Sequence, residues 1–347
     1  MKVTIKDIAK ETGLSTATVS KYLNNIKIQE NNRILIEAAI EKLGYRPNRS
    51  AQILRSKKTR TIGILISDLG NYFWGSVIGT ISHYFASQQY TVITRSYSFD
   101  MELEKNVIRD IISQNFEGLI MLPFNNCDHY YKLLQNAGIP VIILDQLPTM
   151  IQEYPVDCVL SDNYDGSALL AEHLYQNGHT NICILDQAVN SHTIEVRIKA
   201  VKDVYSRHGI NLTTCFPCAE PFIFKETKDV ILENKQRLCQ ILDSPDSPTA
   251  VFFTNYISAM GGLSAVNSLG LNVPDDISLV CFDNDPLFRA MHTSMTCVAQ
   301  DLTSIGIRAS ELLMQRISGD YSDFPVTEII NVEFHSGKSV RNLHTGR

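Results

Sequence analysis

Apolar positions recur with two different periods along the chain, and the change comes near residue 60. In the first sixty residues they follow helical spacing, as at Ile5, Ile8 and Ala9. Beyond that point, short apolar runs such as Ile62–Ile66 alternate with amphipathic stretches of helical period. The pattern predicts a small all-α head followed by a larger α/β core.

The head contains signals for three helices. Thr4, with Asp7 three residues on, predicts the start of the first helix, and Gly13 predicts its end. Ser15 predicts the cap of the second helix, and residues 31–43 form a third. The expected apolar stripe of this third helix comprises Ile34, Leu35, Ala38, Ala39 and Leu43.

The second helix has an inner and an outer face. Val19 and Leu23 point inward, and the outward positions are Thr16, Ala17, Ser20 and Lys21. Two short helices joined by a tight glycine turn have the helix-turn-helix geometry, in which the second helix enters the major groove of DNA. Such patterns also occur in recombinases and in the cores of other α-rich proteins, so the short pattern alone leaves the function open.

Two motifs carry a more specific resemblance. The segments 5–20 and Leu43-Gly44-Tyr45-Arg46-Pro47-Asn48 resemble the head of the lactose repressor family of bacterial transcription regulators. The resemblance implies a homodimer that binds a near-palindromic double-stranded DNA operator through two heads. The DNA-binding residues expected from the pattern and the resemblance are Thr4, Ser15, Thr16, Ala17, Thr18, Ser20, Lys21, Asn24, Tyr45, Asn48, Ala51 and Leu54.

Residues 47–60 are basic, have little apolar surface, and are predicted to be a linker between the head (residues 1–46) and the core. The resemblance implies that this segment becomes a hinge helix in the minor groove, with Leu54 wedged between bases beside Ala51. Gln52 departs from the family pattern, which has arginine there, so one contact to the DNA backbone is in doubt.

The charge distribution supports a polyanionic partner for the head. Residues 1–60 carry 13 Lys and Arg against 5 Asp and Glu, a net charge of +8, whereas the whole chain carries −6. The remainder therefore carries −14. A basic head on an acidic core indicates that DNA contacts the head and hinge only, and that salt weakens this binding.

The core pattern predicts parallel sheets covered by helices on both faces. The resemblance implies two lobes, as in periplasmic sugar-binding proteins, with three crossings of the chain near residues 160, 290 and 321. The expected lobes are residues 61–160 with 291–320, and residues 161–290 with 321–340.

Ligands of open α/β sheets bind beyond the carboxyl ends of the strands. The polar residues at those ends are Asp68, Ser96, Asp145, Asp186, Asn255 and Asp283. The resemblance selects Asp145, Asn255 and Asp283 as effector-binding residues and adds Arg197 and Trp74, the latter as an aromatic surface against the ligand. Tyr256 departs from the family aspartate and is expected to narrow the pocket or to stack on the ligand. This set predicts a sugar-like effector, with a nucleoside as the second choice.

Other classes of protein fit less well. No nucleophile, acid–base set or metal motif stands out, so we expect neither an enzyme nor a cofactor; Cys215 and Cys218 have redox spacing without a supporting context. A solute-binding transport protein would share the core, but it would need an export signal and no basic head. The chain has no signal segment and no long apolar run, which predicts a cytoplasmic protein acting at the bacterial nucleoid, with no membrane partner.

Overall fold

The computed structural model describes residues 3–23, 26–45, 58–70, 72–98, 100–123, 128–148, 153–186, 191–212, 215–216 and 227–344. The chain divides into two compact units, residues 1–59 and 60–347. Residues 46–57, which include all of the predicted hinge (residues 47–60) except its last three residues, lie outside the described residues, and so does Cys218.

The head contains three helices, α1 (Ile5–Thr12), α2 (Thr16–Leu23) and α3 (Glu30–Leu43). Asp7 accepts hydrogen bonds from the backbone N–H of Thr4 (2.8 Å) and from its hydroxyl (2.7 Å), which fixes the first turn of α1. Gly13 ends α1 with a φ of 67°, a left-handed conformation that glycine adopts without strain. These local signals act as the sequence predicts.

Three residues of the predicted stripe of α3 lie outside the core of the head. The buried residues of this core are Ile8, Ala9, Val19, Ile36 and Ala39. Ile34 and Leu35 are instead 53% and 49% exposed, and Ala38 is exposed as well. The run Ile34-Leu35-Ile36 is apolar throughout, and the helix turns only its last member toward α1 and α2. The packing of three short helices, rather than the count of apolar residues, selects the buried face.

The larger unit contains two six-stranded sheets. In the first, β1 (Thr61–Ile66), β2 (Thr91–Ser96), β3 (Gly118–Met121), β4 (Val141–Leu144), β5 (Asp157–Ser161) and β11 (Thr327–Ile330) are ordered β11-β5-β4-β3-β1-β2. Every pairing in this sheet is parallel.

The second sheet contains β6 (Ile182–Leu185), β7 (Cys215–Phe216), β8 (Ala250–Phe253), β9 (Ser278–Phe282), β10 (Thr296–Gln300) and β12 (Val332–His335), ordered β12-β10-β9-β8-β6-β7. It is parallel except at its edge, where β12 runs antiparallel to β10. The predicted fold class, a helical head and a two-lobed α/β core with parallel sheets, is confirmed.

Helices cover both faces of both sheets. They are α4 (Tyr72–Ser87), α5 (Met101–Ser113), α6 (Asp128–Asn136), α7 (Asn163–Gln176), α8 (His192–Arg207), α9 (Thr227–Leu242), α10 (Tyr256–Ser268), α11 (Pro286–Ala290) and α12 (Leu302–Ile317). Each sheet therefore has a buried apolar cluster on either side. Among the described residues, no helix is both long enough and apolar enough to span a membrane.

The chain passes between the sheets three times, and two passages differ from the prediction. The first lies at Asp162, close to the expected residue 160. The second lies at Asp301 rather than near 290, because Thr296–Gln300 is a buried strand that pairs with β9. The third lies at Asn331 rather than near 321, because β11 joins the first sheet beside β5. Residues 291–300 thus belong to the second lobe, and residues 321–330 to the first.

His179 ties the second sheet to the C-terminal segment. Its ring is 1% exposed, with Nδ1 2.9 Å from Thr249 Oγ1 and Nε2 3.0 Å from the carbonyl oxygen of Arg341. Burial lowers the pKa of His179 to about 4. The ring is therefore neutral in the folded protein at neutral pH, whereas in the unfolded chain it protonates near its ordinary pKa.

We expect this histidine to reduce stability in acid. The unfolded state binds a proton below about pH 6.5 and the folded state only near pH 4, so the free energy of unfolding should fall by about 3 kcal/mol as the pH is lowered through this interval. Urea unfolding at several pH values measures it. His179→Gln should remove this part of the pH dependence, whereas His83→Gln, at an exposed site, should retain it. Equal pH profiles for the two variants would contradict the assignment.

Candidate functional site

The outward face of α2 is the candidate DNA-binding surface. Thr16, Ala17 and Lys21 are exposed, and Val19 is fully buried, so α2 presents the face that the sequence predicts. Ser15 caps the helix by accepting a hydrogen bond from the backbone N–H of Thr18 at 3.1 Å. A short helix held by its cap and buried face can present its exposed side chains to base edges.

The other predicted DNA-binding residues differ in their surroundings. Ser20 is half-buried, and Tyr45 packs against the core of the head. The hydroxyl of Thr18 lies 2.9 Å from that of Ser15, and Thr4 is bound to Asp7. The remaining ones, Asn24, Asn48, Ala51 and Leu54, lie outside the described residues.

In the core, Arg197 is the central charged residue between the lobes. It lies on α8 of the second lobe and is 3% exposed. Its Nε donates to Asn163 Oδ1 (2.8 Å), its Nη1 donates to the carbonyl oxygen of Thr254 (2.7 Å), and its guanidinium carbon lies 3.7 Å from the ring centre of Phe282. Burial lowers the pKa of Arg197, and the charges of Asp283 and Asp145 oppose this shift. The side chain is thus fixed beside two carboxylates.

Asp283 follows β9 and accepts two hydrogen bonds. Gln300 Nε2 donates to its Oδ1 at 2.6 Å, and the backbone N–H of Tyr256 donates to its Oδ2 at 3.0 Å. Its φ is 132°, a conformation that non-glycine residues rarely adopt. Burial raises the pKa of Asp283, and the charge of Arg197 lowers it. Backbone strain at a buried carboxylate is typical of a binding site.

Asp145 comes from the first lobe, directly after β4. Its φ is 54°, and its Oδ1 is buried with no hydrogen-bond partner within the described part of the chain. Burial raises the pKa of Asp145 to about 6, Arg197 opposes the rise, and Asp283 adds to it. A carboxylate oxygen in this state is an acceptor for a donor group of a ligand.

Asn255 and Tyr256 lie where β8 leads into α10. Asn255 Oδ1 caps α10 by accepting from the backbone N–H of Ser258 at 2.9 Å, which gives this side chain a structural role. Burial raises the pKa of Tyr256 to about 12, with further contributions from the charges of Asp283 and Asp68, so the phenol is neutral. Tyr256 presents a polar ring to the cleft.

The structure places Trp74 away from the predicted position. Trp74 is 3% exposed and belongs to the core cluster of the first lobe, in one stripe with Val77, Ile81 and Phe85 along α4. The expectation that it faces the ligand is wrong for this structure, because its helical phase turns it into the core. The spacing of that stripe was visible in the sequence. Phe73, one residue earlier, takes the place at the cleft.

A cavity of about 640 Å³ lies between the lobes. Of the predicted residues, Asp283 and Tyr256 line it, whereas Arg197 and Asp145 are not among its described lining residues and interact with the Asp283 site through their charges. The described lining residues are Tyr72, Phe73, Ser76, Tyr256, Asp283, Asn284, Asp285, Pro286, Ala299, Gln300, Asp301, Leu302, Thr303, Asn331, Val332, Glu333 and His335. Aromatic rings with carboxylates and amides suit a small polar ring-shaped ligand.

Among the residues not predicted as binding residues, Gln300 links the two lobes. Besides donating to Asp283, it accepts a hydrogen bond from Ser161, the last residue of β5 in the first lobe. Gln300 can link the lobes because it directly precedes the second crossing, but no sequence pattern indicates that its partners are Asp283 and Ser161. Among the described residues, no group of histidine, cysteine or acidic side chains is placed to hold a metal ion.

Comparison with known proteins adds to this geometry. Residues 4–48 match the model of bacterial regulatory proteins of the lacI family, and residues 171–340 match a periplasmic binding protein-like domain. The HTH-type transcriptional repressor PurR of Aliivibrio salmonicida is 29% identical over 342 residues, which cover 98% of this chain and 99% of that protein. Catabolite control protein A of Priestia megaterium is 27% identical, covering 95% of this chain and 97% of that protein.

Solved structures show the same fold. A lac repressor dimer bound to operator and the anti-inducer ONPF matches 98% of this chain and all of that chain, with a TM-score of 0.82 and 23% identity. A transcriptional regulator CelR–cellobiose complex matches 97% of this chain and all of that chain, with a TM-score of 0.71 and 20% identity.

A helix-turn-helix head followed by a two-lobed core with a polar cleft defines a ligand-responsive, DNA-binding transcription regulator. This chain belongs to the lacI family of bacterial regulatory proteins. The PurR relatives are transcriptional repressors, so the prediction of a regulator rather than an enzyme is confirmed.

Proposed function

We propose that this chain is a transcriptional repressor that binds a near-palindromic operator in the bacterial cytoplasm as a homodimer. The observation that carries the proposal is the exposed face of α2, with Thr16, Ala17 and Lys21 available to base edges. The net charge of +8 on residues 1–60 supplies the attraction to phosphate. Two heads on one dimer match the symmetry of a palindromic site.

The effector we propose is a sugar or sugar derivative bound between the lobes. The carboxylate of Asp283 in the cavity wall and the unpartnered Oδ1 of Asp145 provide acceptors for hydroxyl donors. Phe73 and Tyr256 in the cavity wall provide flat surfaces for a ring. Relatives crystallised with cellobiose and with ribose support this ligand class. A nucleoside is the second candidate, because aromatic rings also stack on bases and related repressors of two Aliivibrio species have the name PurR.

Operator binding tests the DNA-binding part of the proposal. Fluorescence anisotropy with a duplex from upstream of the protein's own gene should show tight binding that weakens steeply with salt. Lys21→Ala should weaken it about tenfold to a hundredfold and reduce discrimination at one base pair of each half-site. Lys10→Ala removes an equal charge from the exposed side of α1, and should mainly reduce binding to all sequences alike.

Two results would contradict this proposal. If the folded protein binds no upstream duplex at low salt, the proposal that it recognises an operator there is wrong. If Lys21→Ala and Lys10→Ala lose the same affinity for specific and for random duplexes, α2 is not the helix that contacts the base edges.

A further inference from the structure

A tyrosine on α2 donates a hydrogen bond to a glutamate on α3. The hydroxyl of Tyr22 lies 3.0 Å from Glu37 Oε1, and both side chains are half-buried. Burial raises the pKa of Tyr22 and the hydrogen bond to Glu37 adds to the rise, so the phenol keeps its proton and is the donor. Tyr22 directly follows Lys21, which is exposed on the face proposed to contact base edges. This hydrogen bond therefore connects that helix to the rest of the head.

Glu37 is itself held by a second residue of α3. Arg33 Nη1 donates to Glu37 Oε1 at 2.6 Å, and Arg33 Nε donates to Glu30 Oε2 at 3.0 Å. Arg33 and Glu37 are four residues apart on the helix, a spacing at which opposite charges pair. The guanidinium therefore orients the carboxylate that Tyr22 binds, and its own charge is paired with two carboxylates.

Apolar packing alone fixes the rotation of α2 about its own axis only weakly, because it is not directional. The buried residue of α2 is Val19, and Leu23, one turn later on the same side, is half-buried. Tyr22 projects about 60° around the helix from Val19, so a hydrogen bond there opposes rotation. A rotation of about 10° would move a side-chain tip about 6 Å from the axis by about 1 Å. Such a shift is larger than the spread of hydrogen-bond lengths at a base edge.

We propose that Tyr22 and Glu37 are positioning residues for operator recognition. Their hydrogen bond sets the rotation of α2 and so aims its exposed side chains, Thr16, Ala17 and Lys21, at the base edges. This inference rests on the proposed function, in which α2 contacts the bases. Binding to phosphate depends on the charge of the head, whereas base contacts also need each side chain in register. Loss of the hydrogen bond should therefore weaken specific binding and leave nonspecific binding unchanged.

Fluorescence anisotropy of the full-length protein tests this role by comparing a duplex from upstream of its own gene with a random duplex of equal length, at one salt concentration. Tyr22→Phe keeps the ring and removes the hydroxyl. It should lower the ratio of the two affinities about fivefold to tenfold, through weaker binding to the upstream duplex alone. Glu37→Leu should lower the ratio by a similar factor. The double variant should lose no more than the larger single loss, because both substitutions remove the same bond.

Two carboxylate variants serve as matched controls. Glu37→Gln retains an oxygen that accepts from Tyr22, so it should keep most of the affinity ratio. Glu41→Leu removes an equal charge one turn further along α3, at an exposed position. It should raise the affinity for both duplexes alike and leave their ratio unchanged, since less negative charge then faces the phosphates.

Three results would overturn the positioning role. A ratio unchanged by Tyr22→Phe would show that the hydrogen bond does not orient α2. Equal losses on both duplexes would show that the Tyr22 hydroxyl binds phosphate itself. A ratio lowered as much by Glu41→Leu as by Glu37→Leu would assign the effect to charge.

The unmodified protein separates this inference from the proposed function. If it shows no preference for the upstream duplex, the proposed function is wrong and the positioning role with it. If it shows the preference and Tyr22→Phe retains the full ratio, only the positioning role is wrong.

Discussion

Asp157→Ala should lower the free energy of unfolding of the core by about 3–5 kcal/mol, because it leaves the guanidinium of Arg316 buried without its main partner. The side chains of Asp157 and Arg316 are 0% and 1% exposed. Arg316 Nε donates to Asp157 Oδ2 at 2.7 Å and Nη2 to Oδ1 at 3.1 Å, and the backbone N–H of Val326 donates to Oδ1 at 2.8 Å. The pair joins β5, α12 and the segment that leads into β11.

Urea unfolding followed by the fluorescence of Trp74 measures this effect, since the single tryptophan of the chain lies in the core of the same lobe. Asp323→Ala is the matched control: Asp323 also binds Arg316, at 2.6 Å, but its side chain is 50% exposed, and we expect a loss of about 1 kcal/mol or less. Replacing the pair together, as Asp157→Leu with Arg316→Met, should recover much of the loss. A single Asp157→Ala loss no larger than that of Asp323→Ala would contradict the prediction.

Arg197→Met should abolish the response to the effector and destabilise the core by about 3–5 kcal/mol at pH 7.5, since Asp145 and Asp283 lose the cation between them. Without Arg197, the pKa of each carboxyl should rise further, and protonation in the folded state should then stabilise it. Because the folded Arg197→Met variant then binds more protons than its unfolded state, the destabilisation caused by the substitution should be smaller at pH 5.5 than at pH 7.5. In the unmodified protein, Asp145, whose pKa is already raised to about 6, contributes in the same direction, and the contribution of His179 opposes it.

The measurement is a thermal-shift series at both pH values with a panel of sugars, sugar phosphates and nucleosides. Lys199→Met is the control on the same helix, with a side chain that is 70% exposed, and it should keep both stability and ligand response. Arg197→Lys retains the charge but not the planar set of donors. Compared with Arg197→Met, it should recover more of the stability than of the thermal shift on ligand binding. A panel member that raises the melting temperature of the unmodified protein and of Arg197→Met equally would exclude Arg197 from the site.

Local signals explain why the head was predictable and where the prediction failed. The cap at Thr4, the turn at Gly13 and the outward face of α2 depend on neighbours within four residues. The buried face of α3 depends on contacts with two other helices. Because Ile34, Leu35 and Ile36 are all apolar, the sequence does not determine which of them faces the core. Only packing could choose Ile36 over Ile34 and Leu35.

The core shows the same division between local and distant information. Most of the buried strands are apolar runs and were visible. The strands β10, which begins and ends with polar residues, and β11 and β12, which are only partly buried, were missed together with the crossings beside them. The strand-end rule found Asp145 and Asp283. It could not supply the contact between Gln300 and Ser161, because these residues are 139 positions apart along the chain and lie in different lobes.

Each passage between the lobes is a single residue. The first lies between β5, which ends at Ser161, and α7, which starts at Asn163; the second lies between β10 and α12, and the third between β11 and β12. Because three such short connections link the lobes, one lobe cannot slide along the other, but it can rotate about the line that joins the connections. A small ligand bound in the cleft should therefore rotate one lobe relative to the other about these crossings. The resulting displacement should be greatest at the ends of the lobes farthest from Asp162, Asp301 and Asn331.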